Sequence, residues 1–118
     1  MTPEAKLTKA VRAWLNDEPD VFFVKIHGGP MQQGGIPDLL LCVAGRFVAI
    51  ELKATRPKSE AWARCTPLQR STLLAIHDAQ GVAAACDTLE EVQVIVGFVR
   101  KLAQGKPPGF FRPEGLVG

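Results

Sequence analysis

Two apolar runs, Asp38 to Val43 and Arg46 to Lys53, meet across only two residues, Ala44 and Gly45. A connection that short joins antiparallel neighbours and sets which residue faces which. With Ala44 and Gly45 as the loop, Val43 pairs with Arg46, and stepping outward brings Asp38 opposite Glu51. The register is conditional on that turn: Ala-Gly is a weaker hairpin signal than Asn-Gly, and a shift would change the partner. Along the second run side chains alternate, with Phe47, Ala49, Glu51 and Lys53 on one face and Val48, Ile50 and Leu52 on the other. Opposite charges two residues apart on an otherwise apolar face must pair, reach solvent or hold something. Directly opposed residues have Cβ atoms about 4.5–5.5 Å apart. Asp38 and Glu51 therefore repel unless a cation sits between them or one is protonated.

The rest of the chain supplies a framework for this hairpin. Thr2, Pro3 and Glu4 open a helix, with a hydroxyl cap, a proline in the first turn and an acid at the positive end of the dipole. Leu7, Ala10, Val11, Trp14 and Leu15 give it one apolar stripe. Val21 to Ile26 reads as a strand, and residues 27–37, with four glycines and two prolines, can only be loop. Residues 54–65 read as a polar loop. Thr66, Pro67 and Gln69 open a second helix with a capping box, expected to run to Ala79 or Gln80 and to stop at a left-handed Gly81. Val82 to Cys86 is a short apolar strand that suits burial on both faces. Asp87, Thr88, Glu90 and Glu91 open a last helix reaching about Ala103, and the tail beyond lacks periodicity. The expectation is an α/β domain of order α-β-β-β-α-β-α, a mixed sheet flanked by helices. Residues 1–104 form the domain and 105–118 a tail, and the crossover into the fourth strand is parallel and right-handed.

Composition excludes several classes. At 118 residues, 47% hydrophobic and 22% charged, the chain is one ordinary globular domain. Its net charge of +2 is too small to demonstrate a polyanionic partner. Cys42, Cys65 and Cys86 are an odd number without close spacing, which argues against disulfides and a zinc site. The start, MTPEAKLTK, reads as a helix opening and not a signal peptide, and no run approaches membrane-spanning length. A cytoplasmic protein with no membrane partner is expected.

An oxygen-only pair, Asp38 with Glu51, favours a hard cation, Mg²⁺ or Mn²⁺, which keeps waters that a substrate phosphate can displace. Such an ion generates hydroxide and stabilises charge on phosphorus. Lys53 beside it suits orienting or deprotonating the attacking water. Glu4 lies three residues before Leu7 and seven before Val11, on the apolar stripe, so it is either a further ligand or a dipole-facing acid. Gln69 divides between the capping box and the site, and is expected to do only one of these well. His27 and His77 have ordinary readings as loop and late-helix residues. A solvated Glu51–Lys53 ion pair, worth ~0–1 kcal/mol, would leave Asp38 and the glycine-rich loop unexplained.

Ile36-Pro37-Asp38, twelve residues, then Glu51-Leu52-Lys53 resembles the PD-(D/E)XK nuclease signature. The fuller pattern, a glycine-rich stretch ending GIPDLLL, then VAIELK, a basic loop and a helix opening TPLQ, resembles the short stand-alone form of the VRR-NUC branch, which is similar to archaeal Holliday-junction resolvases. The resemblance spans roughly residues 4–96. It implies a restriction-endonuclease-like core in which Asp38, Glu51 and the Leu52 carbonyl bind metal and Lys53 is catalytic. Gln69 matches a glutamine on that branch's following helix, and Glu4 its N-terminal helical acid. It also implies a dimeric, structure-selective endonuclease, several members of that kind acting on four-way junctions.

Basic residues lie in three groups. Lys53 to Arg70 holds five, with Arg56, Lys58, Arg64 and Arg70 expected to contact DNA; Arg100 to Arg112 holds four; Lys6, Lys9 and Arg12 form the third. Trp62 reads as a loop anchor rather than a base-stacking residue. The last helix carries an apolar stripe of Val92, Ile95, Val96, Val99 and Ala103 and a second of Val94, Phe98 and Leu102. With Phe110 and Phe111, this points to a homodimer interface. The expected function is thus metal-dependent hydrolysis of DNA, at branched structures such as Holliday junctions. The alternatives are a nuclease for flaps or ordinary duplex, and a catalytically silent DNA-binding module.

Overall fold

A computed structural model describes residues 1–28, 34–55 and 59–103, and the backbone of 110–112 and 115–117. Helix α1, Pro3–Asn16, starts where the Thr2 hydroxyl accepts the Ala5 amide at 3.1 Å. Strands β1 (Val21–Lys25), β2 (Leu39–Val43) and β3 (Arg46–Leu52) form an antiparallel meander. Helix α2 (Pro67–Asp78) then carries the chain to β4 (Val82–Cys86), parallel to β3. Helix α3, Leu89–Leu102, follows. The sheet order is β1-β2-β3-β4. Two features depart from the expected order. A 3₁₀ turn, Trp62–Arg64, interrupts the loop before α2. The segment read as a tail without periodicity contains an antiparallel pair, β5 (Phe110–Arg112) and β6 (Gly115–Val117).

The hairpin register is the one the two-residue turn dictates. Val43 faces Arg46 and Leu39 faces Ile50. Ala44 and Gly45 take φ of 49° and 88°, the positive values a type I′ turn needs at both central positions. The resulting alternation builds two cores. Val48, Ile50 and Leu52 join Leu39, Leu41, Val11, Leu15, Val92, Val96 and Val99 beneath α1 and α3, all essentially inaccessible to solvent. Ala49, on the other face, packs with Cys65 and Leu73 under α2. Each fully buried Val or Leu contributes about 1.5–3 kcal/mol, so the α1/α3 side carries most of the stabilisation. Helix α2 covers only part of its face, and Phe22, Phe47 and Val24 remain 70%, 47% and 43% exposed. Strand β4 was expected to be buried on both faces. It is an edge strand, with a sheet neighbour on one side alone among the described residues, and its residues Val82 to Ala85 are partly buried.

Helix α2 ends one residue earlier than its glycine suggests. The Gly81 amide reaches the Ile76 carbonyl at 2.9 Å and the Gln80 amide reaches His77 at 3.0 Å, a Schellman ending. The left-handed residue is Gln80, at φ 75°. Gly81 serves a different need, since a Cβ there would lie 2.8 Å from Ile76 Cγ2. Gln80→Gly and Ala44→Asn are each expected to raise stability by about 0.5–1 kcal/mol, because both relieve a left-handed backbone at an ordinary residue. Urea unfolding measures this, and an unchanged midpoint in both would mean that neither site is strained. Far from the hairpin, Arg100 grips Asp20 with Nε at 2.8 Å and Nη2 at 2.6 Å, tying α3 to the α1–β1 turn. No helix among the described residues is long and apolar enough to cross a membrane.

Candidate active site

The open end of the β2–β3 hairpin is closed by side chains. One step beyond the Leu39–Ile50 pair, the Asp38 amide donates to Glu51 Oε1 at 3.1 Å, and the Leu52 amide donates to Asp38 Oδ2 at 2.8 Å. The two acids thus stand across from each other, each bonded to the other strand's backbone. Glu51 is 3% exposed, whereas the Asp38 side chain is 27% exposed. Burial raises the Glu51 carboxyl to about 7, and Asp38 adds to the rise by its charge and as a hydrogen-bond partner, against the lowering effect of Lys53. A carboxyl so placed either keeps its proton or exchanges it for a cation.

Lys53 and Gln69 complete the arrangement. Lys53 Nζ lies 3.5 Å from Glu51 Oε2 and donates to Gln69 Oε1 at 3.1 Å, while Gln69 Nε2 donates to Glu51 Oε2 at 2.7 Å. Gln69 was expected to serve either the cap or the site. It does both: its Oε1 also accepts the Thr66 amide at 2.9 Å, and its own amide reaches Thr66 Oγ1 at 3.1 Å. A primary amide has two ends, and the helix cap uses only the oxygen. The start of α2 is thereby keyed to the acid pair.

Lys25, at the end of β1, was not anticipated. Its Nζ donates to the Ile26 carbonyl at 2.6 Å and lies 3.8 Å from Asp38 Oδ1. The signal in the sequence was a lone cation at the end of an apolar strand, but the long loop after it left the β1 register undetermined.

The other expected site residues divide. Glu4 is exposed, although it lies on the same face of α1 as the buried Val11, seven residues on. It lines a groove with Asp38, but among the described residues no third acid, histidine or cysteine completes a metal-holding group. Arg64 was expected on DNA. It is turned into the protein, where it donates to the Ala54 carbonyl and reaches Asp87 Oδ2 at 3.1 Å. Arg70 donates to the Cys65 carbonyl at 3.0 Å, so it too braces the loop before α2. Arg56 and Lys58 lie outside the described residues. Trp62, read as an anchor, is 39% exposed. The three cysteines are free, with Cys65 and Cys86 buried.

The donor set suits a hard divalent ion. Each carboxylate oxygen has a second lone pair beyond the contact it already makes. A strand residue's N–H and C=O point to the same neighbour, so the Leu52 carbonyl faces the Asp38 side of β3, as its amide does. These oxygens, and no nitrogen or sulfur, are what Mg²⁺ or Mn²⁺ prefers.

Gln69→Glu separates the two roles of this residue. Glutamate preserves the capping box but replaces the donor to Glu51 with a like charge. Helix stability is expected to stay within about 0.5 kcal/mol of the parent, while affinity for added Mn²⁺ falls about 10–100-fold, the range for a residue that orients a metal ligand. Thermal melting and metal titration check the pair, and equal metal affinity would remove Gln69 from the site.

No protein-family model, curated protein or solved structure matches this chain.

Proposed function

We propose that this protein is a Mg²⁺- or Mn²⁺-dependent DNA endonuclease built on a small restriction-endonuclease-like core of the PD-(D/E)XK, VRR-NUC kind. The supporting observation is the interlocked quartet of Asp38, Glu51, Lys53 and Gln69, in which a buried and a partly buried acid have an ammonium group beside them. Asp38, Glu51 and the Leu52 carbonyl would hold the ion, which supplies an activated water and charge stabilisation at phosphorus. Lys53, positioned by Gln69, holds or moves the proton of that water and faces the developing negative charge. Burial and the Asp38 charge oppose ionisation of Glu51, and a cation between the two acids would favour it.

Branched DNA, such as a Holliday junction, is the proposed substrate, cut by a homodimer presenting two such sites. Support for the dimer is the second apolar stripe of α3, where Val94, Phe98 and Leu102 are 71%, 53% and 43% exposed. The test is cleavage of labelled four-way junction, flap, duplex and single-stranded DNA with Mg²⁺ or Mn²⁺, alongside Asp38→Asn, with the mass in solution measured by light scattering. Metal-dependent cutting lost in Asp38→Asn supports the nuclease, and the best-cut DNA identifies its substrate. Binding without cutting, unaffected by the substitution, favours the silent DNA-binding module, and a monomeric mass removes the dimer.

A further inference from the structure

The three basic groups of the sequence are not equivalent in the fold. In the first, Arg64 and Arg70 are held by backbone carbonyls and Asp87. In the second, Arg100 is held by Asp20 and Glu18. Lys101 of the second group is exposed and, among the described residues, makes no ion pair, and in the α1 group the same holds of Lys9 and Arg12. Both line a groove of about 620 Å³ that runs along α1 and reaches Asp38.

We infer that this groove is the track along which one DNA strand reaches the acid pair. This rests on the nuclease reading and adds a second DNA contact to the one expected of the loop before α2. Residues of the groove wall recur at helical spacing from Thr2 to Asn16, so one face of α1 forms it, and the small side chains Ala5, Thr8 and Ala13 leave its width open. That face is about 21 Å long, enough to meet several successive phosphates of one strand. Lys25 stands where the groove meets the site, beside Asp38 Oδ1. The lining holds three cations, Lys9, Arg12 and Lys25, against two acids, Glu4 and Asp38. A divalent ion on Asp38 tips that balance further toward positive, so the groove attracts a polyanion most strongly when the site is loaded. Its lysine, arginine, threonine and asparagine side chains suit phosphate oxygens and carry no base code, which fits recognition of DNA shape rather than sequence.

The experiment measures anisotropy of a fluorescein-labelled four-way junction and of a matched duplex with the full chain, in Ca²⁺ over a salt series, with cleavage in Mg²⁺ assayed in parallel. The variants are Lys9→Ala/Arg12→Ala and, as a same-helix control outside the groove, Lys6→Ala. The double variant is expected to bind at least about tenfold more weakly, with the slope of log affinity against log salt shallower by about 2, while Lys6→Ala changes the slope by much less than the ~0.9 of one phosphate contact. If the parent binds and cuts DNA but the double variant matches it in affinity and slope, the track is overturned and the nuclease reading stands. If Lys6→Ala loses about half as much as the double variant, as much per charge removed, the contact is a diffuse cationic surface and the track is likewise overturned. If the parent neither binds nor cuts, both readings fall together.

Discussion

Lys53→Ala is expected to slow metal-dependent DNA cleavage by about 10²–10⁴-fold, the range for loss of a positioned proton-transfer group, while DNA affinity stays nearly unchanged. The side chain is 18% exposed, with Nζ held by Gln69 Oε1 at 3.1 Å and Glu51 Oε2 at 3.5 Å. An ammonium group so fixed is a poor general surface contact and a good partner for a single reacting oxygen. Its removal leaves the α2 cap intact, because the Thr66 amide still reaches Gln69. Single-turnover cleavage at saturating DNA isolates the chemical step from binding. A cutting rate like the parent's would show that Lys53 only balances the charge of Glu51.

Glu51→Gln is expected to lose cleavage and yet to gain stability over the parent as pH rises in the absence of metal. The Glu51 carboxyl is raised from 4.5 to about 7, chiefly by burial and then by Asp38. Between those values the folded protein retains a proton that the unfolded chain has released, so raising the pH through this window destabilises the fold. Below the unfolded value the acid is neutral in both states and its stabilising share is fully present; above about 7 that share is lost. Urea unfolding in chelator at about pH 5 and about pH 8 should show the difference between the two proteins swinging toward glutamine by on the order of 2–3 kcal/mol. Added Mn²⁺ should reverse the swing for the parent alone, by about 2.7 kcal/mol at a hundredfold excess over Kd. A difference that is flat with pH would mean that the acid pair is already relaxed without a cation.

Much of this site was legible because a strand has a period of two and a two-residue turn has one register. Those rules place Asp38 opposite Glu51 and Lys53 on the same face as Glu51 without any long-range information. Gln69 was found but misjudged, since its capping duty was treated as excluding a second partner, although its amide nitrogen was free to reach Glu51. Lys25 was missed for want of a register: twelve residues, 26–37, separate β1 from Asp38 and permit many pairings. Arg64 was misread because a basic run in sequence says nothing about direction, and its partner Asp87 is 23 positions away. An apolar run such as Val82 to Cys86 likewise does not reveal whether a strand lies at the centre of a sheet or on its edge. Net charge says nothing of the groove, because it does not record that α1 turns Lys9 and Arg12 to the same face.

The two amides bonded to carboxylates set where the β2–β3 ladder stops. Beyond Leu39 and Ile50, backbone meets side chain instead of backbone, so the rungs that end the hairpin are made by the same atoms that would ligate a metal. Recognition and architecture therefore share one set of lone pairs. An alanine at residue 38 or 51 strips an acceptor from the opposite strand and shortens the hairpin along with the chemistry, whereas asparagine or glutamine keeps an oxygen on the ladder. The amide isosteres are thus the substitutions in which a lost activity can be assigned to lost charge and not to an unzipped sheet.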